Sequence, residues 1–138
     1  MIKFVYEVLS EMGKKRTKEE KVKVLKSNES WALKDIIRGS IDSTVKWNLP
    51  PGVPPYTACQ EHNHPSNLLR ENTKFKYFVK GGEGDKLPAV KREKIFIGLI
   101  ESVHPKDAEL VIAMVNKEKP YGLTRPIVEE AFPGLLKD

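Results

Sequence analysis

Cysteine is nearly absent: Cys59 is the single one in 138 residues. That excludes an intramolecular disulfide and makes a reducing cytosol the expected compartment. No apolar run approaches the roughly 18 residues a membrane-spanning helix needs. The opening MIKFVYEVLSEMGKK carries acidic residues and lacks a small-residue cleavage site, so a soluble, unprocessed protein is expected. No internal repeat is found, and no Ser, His and Asp set stands at a spacing that points to a nucleophile. The length is that of one domain, so a single helical domain over 1–138 is expected, with one core.

Charge is present in quantity. The 24 Lys and Arg outnumber the 19 Asp and Glu, giving a net charge of +5. Such a balance permits binding to phosphate backbones or to acidic protein surfaces. Lys14, Lys15, Arg16, Lys18, Lys21 and Lys23, with Lys26 and Lys34, form the densest basic region. Lysines at a helix start are poorly placed for the helix dipole, which points to another use for them. A second basic group comprises Lys74, Lys76, Lys80, Lys86, Lys91, Arg92 and Lys94.

Periodicity predicts an all-α bundle of six or seven short helices. Ile2, Val5, Val8, Leu9 and Met12 recur at helical spacing on one face of a first helix, ended by Gly13. KKR forms the turn, and Thr17 with Glu20 makes a capping box that opens a second helix to about Ser27. Asn28 or Ser30 can cap a third, with Leu33, Ile36, Ile37 and Ile41 as its buried stripe. Four prolines in PPGVPP then predict an extended strap over 45–65. A fourth helix is predicted from Ser66 through NLLRENTKFKYFV, although KFKYFV alone would also suit a strand. GGEGDKLP, within 80–88, reads as a mobile surface loop. The segment from Pro88 to Val103, with Val90, Ile95 or Phe96, Leu99 and Ile100 on one face, reads as the central core helix, broken by His104 and Pro105. Asp107 then suits the first turn of the next helix, and Thr124 caps a last one that Pro133 and Gly134 stop.

Three further groupings carry chemistry. KPYG, at Lys119 to Gly122, differs by one residue from the K-x-D-G box on which nucleic-acid ligases carry AMP. Tyr121 replaces the aspartate and only sixteen residues follow, so a chance likeness is expected and no adenylation. Cys59, His62 and His64 offer zinc-type donors, with Glu61 or His104 as a fourth. The spacing lacks the two close pairs of strong zinc patterns, and no metal or cofactor is expected. Trp47 and Tyr56 flank the proline run and can serve a partner's groove or stack bases. The alternative, which is favoured, is that Trp47 anchors an extended connector to the core.

FVYEVLSEMG, EEKVKVLKSNESWALKDIIRGSID, IFIGLIESV and LTRPIVEEAFPGLL follow one another in an order that resembles the N-terminal α-helical domain of phage-type ATP-dependent DNA ligases. The likeness covers nearly the whole chain through weakly specific motifs, PGLL after an amphipathic helix being the best. KWNLPPGVPPY, ESVHPKDAELVIAM and EEAFPGLL also resemble a family of small uncharacterised proteins encoded by large tailed phages, including cyanophages. The ligase likeness implies a helical scaffold that holds duplex DNA by its backbone, across the minor groove. Contacts of that kind position a protein without reading sequence. It implies Lys117, Lys119, Gly122, Thr124 and Arg125 as binding residues; Lys14, Lys15 and Arg16 are candidates on the density of basic charge alone.

The expected function is therefore that of a non-enzymatic phage accessory protein that binds duplex nucleic acid, acting in the infected host's cytoplasm or in the virion. The alternative is a protein-interaction module on the same scaffold, for a replication, transcription, host-takeover or virion component. Its marks are NKEKPYG, where the ligase pattern is richer in arginine, and the proline-rich strap.

Overall fold

The computed structural model describes residues 3–60 and 62–137, and within them the chain is all-α. Seven α-helices follow in order: α1 (Val5–Lys14), α2 (Lys18–Ser27), α3 (Trp31–Ile41), α4 (Leu68–Glu71), α5 (Ala89–Ile100), α6 (Pro105–Val115) and α7 (Arg125–Ala131). Two 3-10 segments, Asn72–Tyr77 and Glu83–Lys86, lie between α4 and α5. No helix among the described residues is long and apolar enough to cross a membrane.

Apolar spacing sets the buried face of each helix. Val5, Val8, Leu9 and Met12 are the buried residues of α1; Ile2 of the same stripe lies outside the described residues. Leu33, Ile36 and Ile37 are buried in α3, whereas Ile41 is only partly covered. Each such side chain removed from water stabilises the fold by about 2 kcal/mol. Caps then fix the helix starts. Thr17 Oγ1 accepts from the Glu20 N–H at 3.2 Å and donates to the Glu20 carboxylate at 3.0 Å. Ser30 Oγ accepts from the Leu33 N–H at 3.1 Å. Asn28 instead closes α2, donating to the Val24 carbonyl at 2.8 Å.

Helix packing runs as a chain of neighbours. α7 packs on α2, α2 on α1, α1 on α6, and α6 also on α3 and α5. α6 is thus the central helix, in place of the expected α5. Val90 explains the difference: it is 65% exposed, so the apolar face of α5 begins at Ile95 and Phe96 and is half as long as its sequence pattern implied. Gly13 does not end α1, which continues to Lys14. Its missing side chain serves packing instead, since a Cβ there would lie 2.9 Å from the Tyr121 carbonyl oxygen.

The segment after the strap departs furthest from expectation. One α-turn, capped by Asn67 accepting from the Arg70 N–H at 3.2 Å, passes directly into the 3-10 segment. Phe75 and Phe78 are buried, a spacing of three that suits three residues per turn. The glycine-rich loop lies at the surface and is fastened at several points. Gly84 is buried against the Tyr77 backbone, and Asp85 accepts from the Gly81 N–H at 2.7 Å. Buried Arg92 donates to the carbonyls of Asn48, Gly84 and Leu87 at 2.8, 2.9 and 3.1 Å.

The proline-rich strap has no helix and is held at a few points. The Trp47 indole N–H donates to the Gly39 carbonyl at 3.0 Å, and its ring meets Phe75 edge-on. Gly39 must lack a side chain, because a Cβ would lie 2.5 Å from the Trp47 ring. Trp47 therefore anchors the connector to the core.

Candidate nucleic-acid interface

Two basic stretches about a hundred residues apart meet at one place. The Tyr121–Gly122 backbone lies against Gly13 at the end of α1, and a Cβ on Gly122 would be 3.0 Å from Gly13 Cα. Gly122 has φ +80°, which glycine adopts without strain. Lys21, one turn into α2, donates to the Gly122 carbonyl at 2.9 Å. The KKR turn and the turn leading into α7 are thereby fastened side by side.

Around that junction the cations divide by how they are engaged. Lys14, Arg16 and Lys119 are exposed and Lys15 is partly so. None of the four has a side-chain hydrogen bond or an ion pair among the described residues. Arg125 is exposed and pairs with Glu129 at 3.0 Å, one helical turn on. Thr124 is exposed at the N-cap position of α7, without a side-chain cap bond.

Lys117 lies apart from this group in function. Its ammonium donates to the carbonyls of Gly39 and Asp42 at 2.9 and 2.7 Å. A cation on the last carbonyls of α3 satisfies acceptors that have no partner within the helix and opposes the negative end of its dipole. The backbone of Lys117 has φ +60°. That is a turn conformation a long side chain adopts when tertiary contacts hold it.

Beside the junction runs a groove of about 550 Å³, bordered by Tyr6, Lys14, Lys106, Glu109, Pro120 and Tyr121. Tyr121 is 86% exposed. Beneath the neighbouring aromatic cluster of Phe4, Tyr6 and His104 sits Asp107, buried and accepting from the Tyr6 N–H at 2.9 Å. Burial pushes its carboxyl up to about 6; the Tyr6 N–H opposes the rise and the charge of Glu7 adds to it. Its role is thus a buried tie between α1 and α6, beyond the dipole contact its position suggested.

Of the zinc-type donors among the described residues, only His64 and His104 meet, edge-on with ring centroids 5.8 Å apart. Cys59 Sγ contacts the Glu101 carbonyl, and His64 Nδ1 lies 2.9 Å from the Ser66 carbonyl. His104 Nδ1 accepts from the Lys106 N–H at 3.1 Å, capping α6. His62 is exposed, and Glu61 lies outside the described residues. No cluster of three or more such donors forms among the described residues. Tyr56 is half-buried against the core, and burial followed by the charge of Glu109 raises its hydroxyl above the ordinary tyrosine range.

Sequence reasoning found the basic residues and missed their neighbours. Lys106, Glu109 and the tie from Lys21 to Gly122 carry no local signal, because helix packing alone brings them to the junction. Compared with known proteins, residues 8–119 match a family model described as a family of unknown function (DUF6433). No curated protein matches the chain.

Proposed function

This chain belongs to the family of unknown function DUF6433, and from that premise we propose that it is a non-enzymatic phage accessory protein. It binds duplex nucleic acid through the phosphate backbone, without strong sequence preference, in the manner of the ligase N-terminal helical domain. The observation that carries this reading is that the helix end and turn bearing Lys14, Lys15 and Arg16 and the turn after Lys119 are packed together through Gly13, Tyr121 and Gly122. Four cations without a side-chain hydrogen bond or ion pair among the described residues, carried on turns that are packed together, suit a row of phosphates better than isolated surface lysines do.

The test is fluorescence anisotropy with a labelled nicked duplex across a salt series. Each neutralised phosphate releases counterions, so four contacts predict a log–log salt slope of roughly −3 to −4. The Lys14→Ala/Lys15→Ala/Arg16→Ala variant flattens it by roughly 2 to 3. Binding that is absent or insensitive to salt overturns the proposal.

A second reading, a protein-interaction module, is favoured by a different groove. Trp31, 72% exposed, stands beside Leu69, Trp47 and Phe75 along a cleft of about 550 Å³. An exposed tryptophan of that kind is a frequent anchor at protein interfaces. It predicts a specific protein recovered from infected cells and released by Trp31→Ala, together with no affinity for duplexes at low salt.

A further inference from the structure

A phosphate-binding ridge needs no aromatic groups, yet this one is bordered by a groove that has two. Tyr121 is the most exposed large hydrophobic side chain among the described residues. It is not loosely held. The Leu123 N–H closes its turn onto the Pro120 carbonyl at 3.1 Å, Lys21 holds the Gly122 carbonyl, and the ring edge rests on Gly13, whose Cβ would be 3.1 Å from Tyr121 Cδ1. An aromatic ring presented outward on a braced turn loses little freedom when a flat ligand covers it.

The opposite wall is equally fixed. Tyr6 stacks on His104 with centroids 4.7 Å apart, and the Lys106 ammonium stands 5.8 Å from the Tyr6 ring. Lys14, Lys106 and Glu109 all border the groove, so both signs of charge line it. A phosphate alone gains less from such a mixed lining than a group that joins phosphates to a hydrogen-bond donor. A nucleobase suits it: the base faces Tyr121, an exocyclic amine can donate to Glu109, and the phosphates on either side meet lysine.

We propose that this groove takes an unpaired nucleobase next to the duplex held on the ridge, so that the preferred ligand is a junction between double and single strand. The inference rests on the nucleic-acid reading above and narrows its substrate class. A base inside an intact helix has its faces covered by its neighbours and offers Tyr121 nothing to stack on. Only a frayed end, a gap or an overhang frees one. The exposed ring thereby converts a contact indifferent to sequence into one sensitive to strand structure.

The experiment compares the full chain binding a blunt duplex with the same duplex carrying a three-nucleotide overhang that contains 2-aminopurine, prepared in DNA and in RNA. The expected result is roughly tenfold tighter binding of the overhang form, with quenching of the 2-aminopurine fluorescence as it stacks. Tyr121→Ala brings the overhang form down to the affinity of the blunt one and abolishes the quenching; Tyr121→Phe keeps both. Tyr121 lies on the surface, so both variants are expected to fold. Equal affinity for blunt and overhang forms, or a preference that survives in Tyr121→Ala, overturns this inference while leaving the ridge proposal standing. Absence of binding to every duplex overturns both. The DNA and RNA arms show which sugar the site accepts.

Discussion

The α1–α2 turn and the glycine-rich loop each carry a cluster of cations, the first being the denser in the sequence. In the folded chain three of the loop group's seven cations are already engaged, while its Lys80, Lys86, Lys91 and Lys94 are exposed and make no side-chain hydrogen bond or ion pair among the described residues. Arg92 is buried on three loop carbonyls, Lys74 pairs with Glu71 at 2.9 Å and Lys76 lies 3.6 Å from Glu83. Lys14, Lys15, Arg16 and Lys119 hold nothing among the described residues. A count of basic residues therefore does not locate a phosphate-binding surface. The partners that the fold has already supplied narrow it, because a guanidinium surrounded by carbonyls cannot reach a ligand without unfolding its loop; what sets the α1–α2 turn apart from the loop's free lysines is the second turn packed beside it.

Substitutions test that contrast at both ends. Arg92→Ala has the largest expected effect, a loss of about 4 kcal/mol in urea unfolding, since it strips a charged donor from three carbonyls. If the loop tolerated it with a loss below about 1 kcal/mol, the division between structural and free cations would fail.

Asp107→Asn examines a buried acid on the ridge side. Its folded pKa of about 6 lies above the unfolded value of about 3.9. The stability it contributes is therefore full below about pH 4 and is lost as pH rises through about 6. The asparagine variant keeps the acceptor for the Tyr6 N–H and has no charge to bury. It should gain on the wild type between pH 4 and pH 7, ending about 3 kcal/mol ahead. A stability difference that stays constant over that range would show that Asp107 does not titrate as burial requires.

On the ridge itself, the Lys14→Ala/Lys15→Ala/Arg16→Ala variant should lose about 2 kcal/mol of duplex affinity at low salt, read by anisotropy, with unfolding stability changed by no more than about 0.5 kcal/mol. The smallest effect gives the closest comparison, because it concerns two neighbouring lysines. Lys117→Ala should lower stability by about 1 kcal/mol and leave the salt slope intact. Lys119→Ala should leave stability intact and reduce the slope by about 1. An exchange of those two outcomes would reverse the assignment of both residues.

Much of the helical scaffold was legible locally. The stripes of α1 and α3 and the caps Thr17 and Ser30 are properties of a few consecutive residues, and the structure keeps them. The anchoring role of Trp47 was legible for a related reason, since an extended connector must be fastened by a large apolar group. Gly13 was misread because a glycine near a helix end carries the same signal whether it terminates the helix or admits a neighbour. The internal contacts of Lys117 carried no local signal, because the carbonyls it caps lie 75 and 78 positions earlier. The fastening of the loop after Val79 carried none either, because its stabiliser, Arg92, is drawn from the following helix.

Apolar spacing, capping residues and proline placement determined by themselves that this chain is a set of short helices joined through an extended strap, because those signals act within one or two turns of backbone. Which helix lies at the centre, which cations are engaged internally, and that the Tyr121–Gly122 turn packs against Gly13 were decided only by tertiary structure. Each depends on α7 folding back onto α2 and on α6 packing between α1, α3 and α5, contacts between side chains far apart in the sequence that no local pattern encodes.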